Sequence, residues 1–189
     1  MSSETTLRYW RAVAELPAER ARALTELESC FHQGSTPGVL SGPYSGRLLT
    51  TTFGYGLDGV CMALSRLWMP WKGKSLERDA AKGRNLFSVG FRWVLRVLWP
   101  SYRDIREEGR ERLSAFRFTT WEGPSALDAA VTVFKIDYDH DESPALLIRP
   151  ILDELVQIDE GLYLGQALMR WKGEFRRLAW FSLSTGVPW

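Results

Sequence analysis

The densest run of ionisable side chains is Lys135-Ile136-Asp137-Tyr138-Asp139-His140-Asp141-Glu142, at the end of a segment that alternates along its length. In an extended chain Lys135 and Asp137 project to the same side as Val131 and Val133, so an inward-facing side would make them a buried or mouth-lining ion pair. An aspartate whose pKa is raised by burial suits general acid–base work. Tyr138 beside it, and Tyr163 further on, add phenols able to carry a proton. The competing reading is a solvated strand end followed by an acidic turn.

A second set of polar groups is embedded among apolar neighbours: Tyr44, Arg47, Arg149, Gln166 and Arg170. Arginines enclosed by a sheet would hold a carboxylate or enolate through paired hydrogen bonds, whereas outward-facing ones are ordinary surface. The chain also carries nine tryptophans. Each offers a broad apolar face and one N–H, a chemistry that suits a thick core or a cavity for an aromatic or lipid-like molecule. Trp68, Trp71, Trp93, Trp121 and Trp180, together with Lys135, are the further candidates for ligand contact, set against the plain alternative of burial in a core.

Several chemistries lack their parts. Asp137, Asp139 and Asp141 alternate as in a calcium loop, but the glycine and distant bidentate glutamate are missing. His32 and His140, the two histidines, form no zinc spacing with Cys30 and Cys61. So few histidines also leave little for a Ser-His-Asp or Cys-His arrangement, and no G-x-S-x-G occurs. No G-x-x-x-x-G-K-[ST] occurs, and no nucleotide, metal or other cofactor is expected. The formal charge of +1, from 24 basic and 23 acidic side chains, provides no field for nucleic acid. The two cysteines are expected to pack as small hydrophobes.

The elements that must position these groups follow from hydrophobic spacing. A length of 189 residues fits one domain, with N-terminal helices over 1–34 and a sheet over 35–189. Leu7 to Leu16 and Pro17 to His32 read as helices, the second stopped by Gly34. Ser35 to Gly46 reads as a loop into a strand from Arg47 to Phe53. Inserted helices are expected near 57–68 and 88–99, with Lys72 to Asn85 as a polar connection between them.

Beyond Ser101 the period changes to two. Tyr102 to Glu107 and Arg112 to Trp121 read as a hairpin, Leu127 to Asp139 and Leu152 to Ile158 as strands. Leu162 to Trp171 and Phe175 to Leu183, joined at Lys172-Gly173-Glu174, form the clearest hairpin signal. Both faces of this hairpin carry apolar residues. The fold class is therefore mainly β, an antiparallel barrel with N-terminal helices and helical lid segments, because closure removes exposed edges. An α+β sheet with helices on one face is the alternative.

Met1 to Thr6 lacks the pattern of a secretory signal, and the apolar stretches Val60 to Trp71 and Val89 to Trp99 are charge-interrupted and shorter than the roughly 20 residues of a membrane span. A cytoplasmic location is expected. Trp beside basic residues at 68–74 and 91–99 would also suit a membrane surface, although capping the barrel already accounts for those residues.

Gly42-Pro43-Tyr44-Ser45-Gly46 resembles the glycine–aromatic–glycine pattern at the first strand of lipocalin-like and related calycin barrels, where tryptophan is more usual than tyrosine. The stretch from Ile151 to Val156 through Gly161-Leu162-Tyr163-Leu164-Gly165 resembles the C-terminal part of uncharacterised bacterial proteins, as do Trp68 to Gly73 and Lys135 to Asp139. The resemblance implies a calycin-like barrel holding a small apolar ligand in its lumen, and no catalytic residue. Three functions are thus in view: a binder of a small apolar or aromatic molecule, a cofactor-independent cyclase or isomerase using Asp137, Tyr138 or Tyr163, and a peripheral membrane or protein-interaction module.

Overall fold

The computed structural model of the chain describes residues 2–16, 18–52, 70–77, 81–141, 143–144 and 147–185. The helix expected over 57–68, with Cys61 and Trp68, lies outside them, as do Pro17 and Trp189.

Two helices open the chain, α1 (Ser3–Val13) and α2 (Arg20–Gln33). Ser2 caps the first, its hydroxyl accepting from the Thr5 amide. Gly34 ends the second with φ −69, not in the left-handed region. Glycine is needed there for space, since a Cβ would run into the Val156 side chain.

Among the described residues nine strands follow: β1 (Gly42–Thr51), β2 (Trp71–Glu77), β3 (Lys82–Ser88), β4 (Arg106–Glu108), β5 (Arg112–Pro124), β6 (Thr132–Asp137), β7 (Ile151–Asp159), β8 (Leu162–Trp171) and β9 (Glu174–Ser184). A third helix, α3 (Phe91–Leu98), joins β3 to β4. The sheet runs β3-β2-β1-β9-β8-β7-β6-β5-β4, and a β3–β5 ladder closes it into an antiparallel barrel of eight strands with β4 added outside. The closing hairpin turns at Lys172 and Gly173, both at positive φ (52 and 88), the primed turn that matches strand twist.

Alternation along the strands separates two cores. Tyr44, Phe118, Ile136, Leu155, Tyr163 and Phe181 belong to the lumen. Leu49, Val133, Val156, Leu164 and Trp180 face the other way and bury Leu7, Trp10, Leu27 and Phe31 of the two N-terminal helices. This is why both sides of the last hairpin are apolar: one packs inward, the other under helices.

The largest departure from expectation is the polar connection read at Lys72 to Asn85, which is the β2–β3 hairpin. Its alternation is hidden because Lys74 and Asn85, direct cross-strand partners, point into the lumen where apolar residues would be anticipated. The first strand likewise begins at Gly42, earlier than Arg47, with Gly42 to Ser45 paired to β2. At Gly46 a Cβ would overlap the Trp71 ring, so this glycine seats Trp71 against the barrel wall. Among the described residues no helix is long and apolar enough to cross a membrane.

Candidate functional site

Lys74 lies on β2 and Asp153 on β7. These strands are diametrically opposed, separated by β1, β9 and β8 one way and by β3, β5 and β6 the other. Their side chains meet across the lumen, Nζ to Oδ2 at 2.7 Å, with side-chain exposures of 2% and 6%. The ammonium also donates to Asn85 Oδ1 at 3.0 Å and to the Tyr138 hydroxyl. Tyr138 in turn donates to Asp153 Oδ2 at 2.9 Å, and the Trp71 indole N–H donates to Asn85 Oδ1 at 3.0 Å. All three ammonium protons therefore have acceptors.

Aromatic rings surround this cation: Trp71, Phe118, Tyr138 and Phe181 each have a centroid within 5.1–5.6 Å of Nζ. Burial pulls the Lys74 pKa down, opposed by Asp153. Burial likewise pushes the Tyr138 phenol well above its usual value, reinforced by the Asp153 charge, so it remains a donor.

The bridge divides the lumen. On one side Tyr44, Leu76, Phe118, Leu155, Tyr163 and Leu183 fill the interior. On the other is a cavity of about 320 Å³, walled by Phe87, Phe116, Ile151, Ala167, Ala179 and Phe181 and floored by Lys74, Asn85, Tyr138 and Asp153. Phe91 at the start of α3 and Trp99 just beyond its end complete the wall, so this helix sits at the mouth. A wider, more polar cleft of about 560 Å³ lies between the N-terminal helices and β7, bordered by Ser3, Cys30, Gln33, Gln157, Asp159 and Glu160.

At the bridge the structure brings together two of the residues singled out from the sequence, Tyr138 and Trp71. Tyr44 and Tyr163 are inside the barrel at its filled end, their rings 5.6 Å apart, and burial raises the Tyr163 phenol. The proposed Lys135–Asp137 pair is not in the lumen. Phe134, Ile136 and Tyr138 take the inward positions of that strand, so the odd-numbered residues face out. Lys135 lies 3.5 Å from Glu154, and Asp137 accepts from the Asp139 amide at 2.9 Å.

Gln166 and Trp180 are also on the helix-covered outer face. Gln166 donates to Glu154 at 2.8 Å and accepts from Arg177, whose guanidinium stacks 4.3 Å from the Trp180 ring. Arg47 alternates outward between the inward Gly46 and Leu48, where burial and the neighbouring Arg11 and Arg8 charges lower its pKa. Arg149 and Arg170 form a rim cluster with Asp139, each at 3.1 Å, and hold its carboxyl below the usual range. None of the three arginines is a lumen anchor. Trp93 and Trp121 are 55% and 44% exposed.

Sequence reasoning missed Lys74, Asn85 and Asp153. The first two fell in the segment read as a connection. Asp153 did leave a signal: Ile151-Leu152-Asp153-Glu154-Leu155-Val156 places two adjacent carboxylates in an apolar strand, and a strand sends them to opposite faces, both covered here.

No family model and no curated protein matches the chain. A solved protein from Thermomonospora curvata has the same fold, at 16% identity and a TM-score of 0.51 over 92% of this chain and 99% of that one. This likeness supports the barrel architecture. Within Gly42 to Gly46 the ring of Tyr44 is buried in the lumen.

Proposed function

We propose that the barrel binds a small, uncharged, largely apolar or aromatic molecule in the manner of lipocalin-like proteins. The observation that carries this reading is the cavity of about 320 Å³, apolar on its walls and polar at one floor. Volume of this order suits a small ligand, and orientation comes from few polar groups. The floor favours an uncharged polar group. Lys74 and Asp153 already neutralise each other at 2.7 Å, and an incoming carboxylate or ammonium would displace one of them from a desolvated partner. A cofactor-independent isomerase or cyclase is the second reading, favoured by Tyr138, which joins Lys74 to Asp153 at the floor.

Titration with the neutral dye N-phenyl-1-naphthylamine tests binding. Dye entering the cavity quenches Trp71 and Trp99 and raises the melting temperature. Ala167→Phe, which fills the cavity, abolishes both effects in a folded protein. Dye uptake that is unchanged in this variant would overturn the proposal.

A further inference from the structure

We propose that Lys74 is a nucleophilic amine that condenses with an apolar aldehyde or ketone held in the cavity, forming a Schiff base; this rests on the lumen being a binding site. The geometry supplies each part. Nζ stands at the floor of an apolar cavity, among aromatic rings and away from water, where an ammonium is least well solvated. Asp153 Oδ2, at 2.7 Å, can take the proton that must leave before the amine attacks. Tyr138 touches both groups and, as a persistent donor, can hydrogen-bond the carbonyl oxygen.

The steps balance within these residues. A proton passes from Lys74 to Asp153. The amine lone pair forms the C–N bond as the carbonyl π pair moves to oxygen, and a proton passes from nitrogen to that oxygen through the Tyr138 hydroxyl. The nitrogen lone pair then expels the hydroxyl group, which leaves as water with the proton returned by Asp153. The product is a protonated imine beside an Asp153 carboxylate, so net charge is unchanged and no oxidant or reductant is consumed.

Lys135 also faces a buried carboxylate, Glu154 at 3.5 Å, but it lies on the outer face and does not border the cavity. An apolar carbonyl compound in the lumen meets Lys74 and not Lys135. Among the described residues the titratable groups on the cavity lining are Lys74, Tyr138 and Asp153.

The test uses the full chain with equimolar nonanal and sodium cyanoborohydride, read by peptide mapping, in parallel with displacement of N-phenyl-1-naphthylamine by nonanal alone. The expected result is a nonyl adduct on Lys74 accumulating roughly tenfold or more faster than on Lys72, Lys82, Lys135 or Lys172. Lys74→Arg should remove that adduct, and the wild-type map decides the question even if this variant fails to fold. Dye displacement without preferential labelling of Lys74 overturns the Schiff-base proposal and leaves the binding reading standing. Absence of both dye binding and Lys74 labelling overturns both.

Discussion

Asp153 and Glu154 are neighbours in β7, both buried, and each faces a lysine from another strand. Their surroundings differ. Glu154, on the outer face, accepts from the Ser125 hydroxyl at 2.7 Å, the Ala126 amide at 2.8 Å and Gln166 at 2.8 Å, besides its ion pair with Lys135. Its oxygens are committed to protein donors beside the helix-covered core. Asp153 has fewer partners, Lys74 and Tyr138, and borders an open cavity. A buried charge whose bonding is complete organises the fold; one beside free space can also meet a ligand. Burial alone does not separate the two roles.

The largest effect is expected at Lys74. Lys74→Met leaves Asp153 buried without its cation and is expected to cost about 3–5 kcal/mol in urea unfolding. Lys74→Met combined with Asp153→Leu removes the pair together and should recover most of that loss. If the double variant is as unstable as the single one, the bridge has a packing role beyond its charges.

Glu154→Gln should cost less, about 1–3 kcal/mol, because charge-assisted bonds weaken while the shape remains. It should leave dye uptake in the lumen unchanged, which equilibrium titration can measure. Loss of dye binding in this variant would erase the distinction between the two faces.

A smaller effect concerns pH. Because burial lowers the Lys74 pKa, the unfolded chain binds the extra proton between the folded value and the ordinary lysine value. Stability contributed by this group therefore rises with pH through that window and falls as pH drops through the folded value. Unfolding midpoints of the wild type should gain on the double variant as pH rises toward the ordinary lysine value. The smallest change is expected at the rim. Asp139 is held low by Arg170 and Arg149, so its contribution is present above the ordinary carboxylate range and lost as pH falls through its folded value. Asp139→Asn should cost under about 1 kcal/mol at neutral pH, since these groups are partly solvated.

Much of the frame was legible where patterning and turn chemistry agree. The β8–β9 hairpin follows from two runs around Lys172-Gly173, and α3 from apolar spacing ended before Pro100. The β2–β3 hairpin was illegible for the reason that makes it interesting: its inward residues include a lysine and an asparagine. Trp content also misled. Trp71 and Trp99 line the cavity, but Trp10 and Trp180 belong to the outer core, and Trp93, Trp121 and Trp171 are largely exposed. Phenylalanine supplies more of the lumen wall. In β6 the period was right but its phase was undetermined, because Val133 and Phe134 are both buried, on opposite faces.

Gly165 carries a consequence for the shape of the cavity. A Cβ there would overlap both the Phe181 ring and Leu155, so the absence of a side chain lets Phe181 lie back against β8. Phe181 is also part of the cavity wall. One methyl group at position 165 would thus act as a spacer, tipping the ring toward the lumen and shortening the longest molecule that fits. The reach of the cavity is in this sense written in the backbone, at a residue that does not border it.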